Sequence, residues 1–191
     1  MNVPRDGSIR PTLTCGFLAA FLCVFDAYGL TPSGNDNAAR VETAFTPGDD
    51  IAGLIVGRIG RARRTVQVQA YLLTHRAIAN ALLAARKRGL EVEVIGDANQ
   101  QANGGHPHLE ALHRAGVRVW LDGGHAAAHD KVVILDGGHP EATVITGSYN
   151  FTRAAQHANG ENVVVISGNR AITDRFVANF GKHRAESKPW R

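Results

Sequence analysis

Cysteine is almost absent from this 191-residue chain: Cys15 and Cys23 are its two cysteines, and both fall in the apolar stretch from Leu13 to Phe25. If that stretch is removed, neither a disulfide nor a thiol nucleophile remains, so the fold must stand without crosslinks. Long hydrophobic runs are also missing. The stretch 13–25 is short for a bilayer span and follows Arg5 and Arg10, the layout of a secretory signal peptide. Ala27 and Gly29 offer small residues for cleavage, whereas Asp26 beside the apolar run is a poor feature for it. Residues 1–29 are therefore expected to be a signal peptide, with an uncleaved N-terminal anchor as the alternative, and the protein to be exported to the periplasm or secreted.

Low-complexity sequence is lacking, and with 44% hydrophobic and 20% charged residues the chain has material for one ordinary core. There is no acidic excess. The net charge is +4, and removing residues 1–29 takes away Arg5, Arg10, Asp6 and Asp26 in balance, so the basic character belongs to the rest of the chain. That favours an anionic partner, nucleic acid backbone or acidic lipid surface, without separating the two.

Residues 30–40 are small, polar and proline-containing, a flexible leader, and the folded domain is expected over 41–187. Asp49 and Asp50 precede Ile51, Leu54, Ile55 and Ile59 at helical spacing. Thr65 to Leu73 alternates as a strand does, with Val66, Val68 and Ala70 on one face and Gln67, Gln69 and Tyr71 on the other. Thr74 is placed to cap a second helix that ends in Arg86-Lys87-Arg88. Strand, loop, short helix and strand follow over 90–121. His129 to Asp136 and Ala142 to Thr146 read as a hairpin around Gly137-Gly138-His139-Pro140. Asn162 to Ser167 reads as the final strand, and Ile172, Phe176, Val177 and Phe180 mark a closing helix. Alternating strands and helices predict an α/β fold, a mixed β-sheet flanked by helices on both faces.

The chemistry concentrates late in the chain. In a strand from His129 to Asp136, residues of one parity share a face, so His129 and Lys131 point one way and Asp130 and Asp136 the other. A neutral imidazole can attack phosphorus, and a neighbouring ammonium can neutralise the oxygens that gain charge. Gly147-Ser148-Tyr149-Asn150 then supplies a hydroxyl and a carboxamide able to hold the same phosphate oxygens. Glu161 is expected to accept from the non-attacking nitrogen of His129 and so set its tautomer. Asp136 is assigned to structural support.

The pattern His129-x-Lys131-x4-Asp136, then Gly147-Ser148-x-Asn150, then Glu161-Asn162, resembles the HKD signature of the phospholipase D superfamily. Across roughly Phe45 to Arg184, with Thr46-Pro47, Ala70-Tyr71 and Lys87-Arg88-Gly89, the chain is similar to the small bacterial Nuc-type endonucleases. The resemblance implies a metal-independent phosphodiesterase that works through a covalent phosphohistidine and needs no cofactor. It also implies two histidines per site. This chain has one signature, since His75 is followed by Arg76 and Ala77 rather than by a lysine two positions on, so each chain carries one HKD half-site and a two-fold homodimer is implied.

Nucleic acid is the expected substrate, with Arg58, Arg61, Arg63, Arg64, Arg86, Lys87, Arg88 and Arg153 as possible phosphate contacts. Hydrolysis of phospholipid headgroups is the alternative. His106, His108, His113 and His125 lack nearby thiolates or clustered carboxylates, so no metal site is expected, and these histidines are read as a solvated rim.

Overall fold

The computed structural model describes residues 38–191. The expected signal peptide or anchor and most of the expected leader lie outside the described residues. Composition puts Arg40 at the end of that leader, yet it already opens strand β1 (Arg40–Thr46), pairing with Ser167.

After β1, helix α1 (Ile51–Arg61) starts where the two aspartates predict, the Gly53 N–H donating to Asp50 Oδ1 at 2.8 Å. Ile51, Ile55 and Ile59 are wholly buried at its spacing of four. Strand β2 (Thr65–Ala70) sends Val66 and Val68 into the same core. Helix α2 (Arg76–Lys87) contributes Ile78 and Leu82. Its cap is not Thr74. The cap residue is His75, without a side-chain capping bond, because the N–H groups of Thr74 and His75 both donate to the Phe151 carbonyl at 2.9 and 2.8 Å and tie the helix start to a distant segment. Removing a fully buried side chain such as Leu82 is expected to cost about 2–5 kcal/mol.

Strand β3 (Glu91–Asp97), short helices α3 (Ala98–Ala102) and α4 (Leu109–Arg114) and strand β4 (Arg118–Asp122) follow. Because β2, β3 and β4 pair in parallel, helical crossovers are needed between them. The hairpin forms as β5 (Lys131–Leu135) and β6 (Thr143–Gly147) in antiparallel pairing. Helix α5 (Arg153–His157), strand β7 (Glu161–Ser167), helix α6 (Arg170–Glu186) and the two-residue strand β8 (Lys188–Pro189) complete the chain. Strand β7 is thus not the last. Strand β8 pairs with β4, and the Trp190 N–H donates to the Val119 carbonyl, carrying the folded part past residue 187.

The eight strands make one mixed sheet, ordered β1-β7-β6-β5-β2-β3-β4-β8. Val133 and Leu135 belong to the large cluster under α1 and α2, while Val132 and Ile134 pack with Phe176, Val177 and Phe180 of α6. The sheet is covered by helices on both faces, as the alternation in β5 predicts.

Register then fixes which residues meet. Ala70 lies opposite Lys131, Val132 opposite Thr146, Gly147 opposite Val163 and Thr46 opposite Glu161. The start of β5, the end of β6 and the start of β7 therefore share one end of the sheet.

Candidate active site

All of the signature residues except Asp136 gather at that end. His129 is exposed and sits two residues before β5 begins, while Lys131 is buried. The Lys131 ammonium lies 2.9 Å from His129 Nδ1 and donates to the His129 carbonyl at 2.7 Å. Burial holds the Lys131 ammonium below the ordinary lysine value, with Asp130 and Glu161 acting the other way.

Ser148 and Asn150 follow β6 directly. The turn needs Gly147: at φ +153° a side chain there would have its Cβ 2.2 Å from the Asn162 carbonyl oxygen. This close approach lets the Ser148 N–H donate to that carbonyl at 3.1 Å, and Ser148 Oγ accept from the Asn162 N–H at 3.1 Å. Tyr149 is fully buried, its hydroxyl donating to Gln156 Oε1 at 3.2 Å, and burial pushes its pKa up to about 12. With its neighbour fixed, Asn150 is held at the site edge. Its Oδ1 is buried and has no hydrogen-bond partner among the described residues.

Glu161 does not take the place expected of it. Its carboxylate accepts from Ser148 Oγ at 2.6 Å and from Asn159 Nδ2 at 2.9 Å, while the contact to His129 Nδ1 is made by Lys131. The physical reason is register. Glu161 begins β7, two strands from β5, and first reaches the Ser148 hydroxyl just past the end of the strand between them. Asp136 lies at the far end of β5, where its carboxylate accepts from the N–H groups of Arg63, Arg64 and Thr65 at 2.6–3.1 Å. It joins the α1–β2 connection to the end of the hairpin strand.

Sequence reasoning passed over Tyr71. Its ring centroid is 4.4 Å from that of His129, its face lies 4.8 Å from the Lys131 ammonium, and its hydroxyl accepts from Gln100 Nε2 at 2.8 Å. Strand alternation carried through the observed β2–β5 register would put Tyr71 on the face away from His129. Both residues lie just beyond the ladder that ends at Ala70 and Lys131, where alternation no longer governs direction.

Two further expectations change. Arg58, Arg61, Arg63, Arg64, Arg86, Lys87 and Arg88 sit at the ends of α1 and α2 or the start of β2, the Asp136 end of the sheet. Arg58 pairs with Glu42, Arg86 Nε donates to the Gly116 carbonyl and Arg88 to the Ile59 carbonyl. Among the arginines proposed as phosphate contacts, Arg153, at the start of α5, stands at the His129 end. The loop histidines are not a uniform solvated rim either. His106 is buried with neither ring nitrogen hydrogen-bonded among the described residues, and burial lowers its pKa to about 4. His108 Nε2 contacts the Thr74 carbonyl, and His125 packs against Asp122 and His183.

An exposed imidazole beside a buried ammonium, with a hydroxyl and a carboxamide at the same end, is equipped to attack and hold a phosphate diester. The family described as cardiolipin synthase, PLD-like domain, matches residues 55–184, and the chain belongs to the phospholipase D superfamily, whose activity is phosphodiester hydrolysis. More particularly, it is similar to the phospholipase D family member Nuc from Salmonella typhimurium: TM-score 0.72 and 30% identity over 81% of this chain and 99% of that one. It is 34% identical to a phospholipase D from Rickettsia felis over 78% of this chain and 72% of that protein. A mitochondrial cardiolipin hydrolase from Chlamydomonas reinhardtii is 33% identical over 65% of this chain but only 53% of its own length.

Proposed function

We propose that the protein is an endonuclease that cleaves DNA or RNA phosphodiester bonds through a covalent phosphohistidine on His129, in a homodimer whose two His129 side chains share one site. The observation that carries this reading is the Lys131 ammonium held against His129 Nδ1 and out of bulk water. With Lys131 donating to Nδ1, a neutral His129 carries its proton on Nε2, and the form that gives a proton to a leaving oxygen is the imidazolium, protonated on both nitrogens. A phosphate that draws the ammonium to its own oxygens frees Nδ1 to take the proton, leaving Nε2 to attack. One chain cannot do both at once, hence the second copy. Ser148 and Asn150 hold the remaining oxygens, and Glu161 acts through Ser148. Phe45 is 55% exposed and pairs with Asn162 beside the site, an apolar surface that a second copy would cover.

The substrate preference follows from polarity. Beside the Tyr71 ring and Phe45, the groups at the His129 end of the sheet are Lys131, Ser148, Asn150, Asn159, Glu161 and Arg153, which suits a charged backbone better than acyl chains. The names of the Rickettsia and Chlamydomonas relatives favour a second reading, hydrolysis of phospholipid headgroups.

Full-length protein and His129→Ala are to be incubated with plasmid DNA, RNA and vesicles of phosphatidylcholine or cardiolipin, with and without EDTA. Nicking that persists in EDTA and disappears in His129→Ala is the expected result. Lipid turnover without nucleic acid cleavage would replace the first reading by the second, and sedimentation of a fully active monomer would remove the shared site.

A further inference from the structure

Away from His129, on the α6 side of the sheet, three side chains form a group that phosphodiester chemistry does not use. Asp122 ends β4, and its carboxylate is completely buried. Each of its oxygens meets a different imidazole: Oδ2 is 2.7 Å from His183 Nδ1, and Oδ1 is 3.2 Å from His125 Nδ1. The two rings stack with centroids 5.0 Å apart at 27°. All three donor atoms lie within 4.8 Å of one another.

The sequence builds this group from two separate elements. Gly123 and Gly124 turn the chain straight back after β4, and the Gly124 N–H donates to Asp122 Oδ1 at 3.1 Å, which returns His125 to the carboxylate it has just left. His183 arrives from α6, sixty-one residues later in sequence, and is 14% exposed. Behind its ring, Nε2 faces at 4.0 Å, beyond hydrogen-bond distance, the Asp130 carboxylate that accepts from Gln69 Nε2. A histidine with one nitrogen at the centre and a carboxylate behind the other is the arrangement that orients imidazole ligands.

We propose that Asp122, His125 and His183 bind one zinc ion, with water as the fourth ligand. Two imidazoles and one carboxylate suit zinc rather than magnesium or calcium, which prefer oxygen-rich shells. Donors on a tetrahedral zinc with bonds of about 2.0–2.1 Å lie roughly 3.3 Å apart. Each imidazole lies against a different Asp122 oxygen, at 3.2 and 2.7 Å, and the three donor atoms, within 4.8 Å of one another, have to draw together on the ion to reach that figure. The ion takes no part in phosphoryl transfer. It ties β4, α6 and the 123–130 segment together, and that segment carries the nucleophile, four residues after His125. Its role is to hold the loop that presents His129. The inference stands apart from the choice of substrate.

The test uses untagged full-length protein, stripped with chelator and titrated with Zn2+ in a calorimeter, alongside metal analysis of the purified protein. One ion per chain is expected, with a rise in thermal midpoint of about 5 °C or more at saturation. Binding should weaken at least tenfold in Asp122→Asn and in His125→Ala, and stay unchanged in His113→Ala and His129→Ala. His125 is exposed, so its replacement tests the site even if Asp122→Asn folds poorly. Absence of stoichiometric binding, or wild-type affinity in His125→Ala, would reduce the group to a hydrogen-bonded His–Asp–His set and overturn the proposal. Because His129→Ala removes cleavage but not zinc, and His125→Ala removes zinc but not the nucleophile, the two readings fail separately.

Discussion

The two ends of strand β5 belong to one sequence signature and do different work. At the Lys131 end, polar groups stand ready: an exposed imidazole, a buried ammonium and an Asn150 oxygen without a hydrogen-bond partner among the described residues. At the Asp136 end, about 17 Å along the strand, three backbone N–H groups converge on one carboxylate, and arginines cap carbonyls or pair with glutamate. Groups with unused hydrogen-bonding capacity serve a ligand, and satisfied groups serve the fold. The motif His129-x-Lys131-x4-Asp136 thus joins a chemical half to a structural half through five strand residues.

The widest separation between the halves is expected from exchanging which end is damaged. His129→Ala should lower cleavage on the order of a thousandfold or more while lowering the thermal midpoint by at most a few degrees, the loss of its Tyr71 contact, since the ring is otherwise exposed. Asp136→Ala strands three N–H donors and puts alanine at φ +52°. It should cost about 2–4 kcal/mol of stability while cleavage per folded molecule stays near wild type. Urea titration read beside initial rates checks both, and a catalytic loss in Asp136→Ala with an unchanged midpoint would erase the division.

Lys131→Met sharpens the comparison within the catalytic end. Burial lowers the lysine pKa in the fold, so the unfolded chain binds its proton more tightly. The penalty is full below the lowered value and is relieved as pH rises toward the ordinary lysine value, because stability rises wherever the unfolded state holds more protons. Activity runs the opposite way, falling as pH rises through the same window. Lys131→Met should therefore lose roughly a hundredfold or more in kcat, keep or raise the midpoint at pH 7, and flatten the alkaline limb of the stability profile. A lower midpoint would show that the ammonium supports the fold after all.

A smaller effect is expected at Tyr71. Stacking contacts of this kind contribute about 0.5–1.5 kcal/mol, so Tyr71→Leu should lower kcat up to about tenfold, and Tyr71→Phe, which keeps the ring, by much less. Equal losses in the two variants would assign the effect to the Gln100 hydrogen bond instead.

What the sequence showed and hid follows from the same physics. Helical spacing made α1 legible because one side of it is buried, whereas β5 is buried on both faces and was legible from the parity that sets His129 and Lys131 against Asp130 and Asp136. The gathering of His129, Lys131, Ser148 and Asn150 could be read from motif spacing across a hairpin. Glu161's partners could not, since they depend on strand order, and β7 lies two strands from β5. Strand β1 was hidden because it is an edge strand with Val41 and Phe45 exposed, so its alternation carries no burial signal. The arginines misled for a related reason. Composition counts charge without saying at which end of a helix it sits, and cations gather naturally at helix C-termini.

That last point carries the smallest predicted effect. Arg61, Arg63 and Arg64 are exposed at the Asp136 end, a full strand length from His129. At physiological ionic strength the Debye length is about 8 Å, so their field is largely screened at the catalytic end. Arg61→Gln, Arg63→Gln and Arg64→Gln combined should change kcat/KM on a short oligonucleotide less than about twofold, whereas Arg153→Gln should raise KM and flatten its salt dependence. Because Asp136 binds the backbone N–H groups of Arg63 and Arg64 rather than their guanidinium groups, the triple variant keeps that tether and isolates charge from fold. A large loss in the triple variant would mean that substrate wraps the whole length of the sheet, and the separation of the two ends would fail.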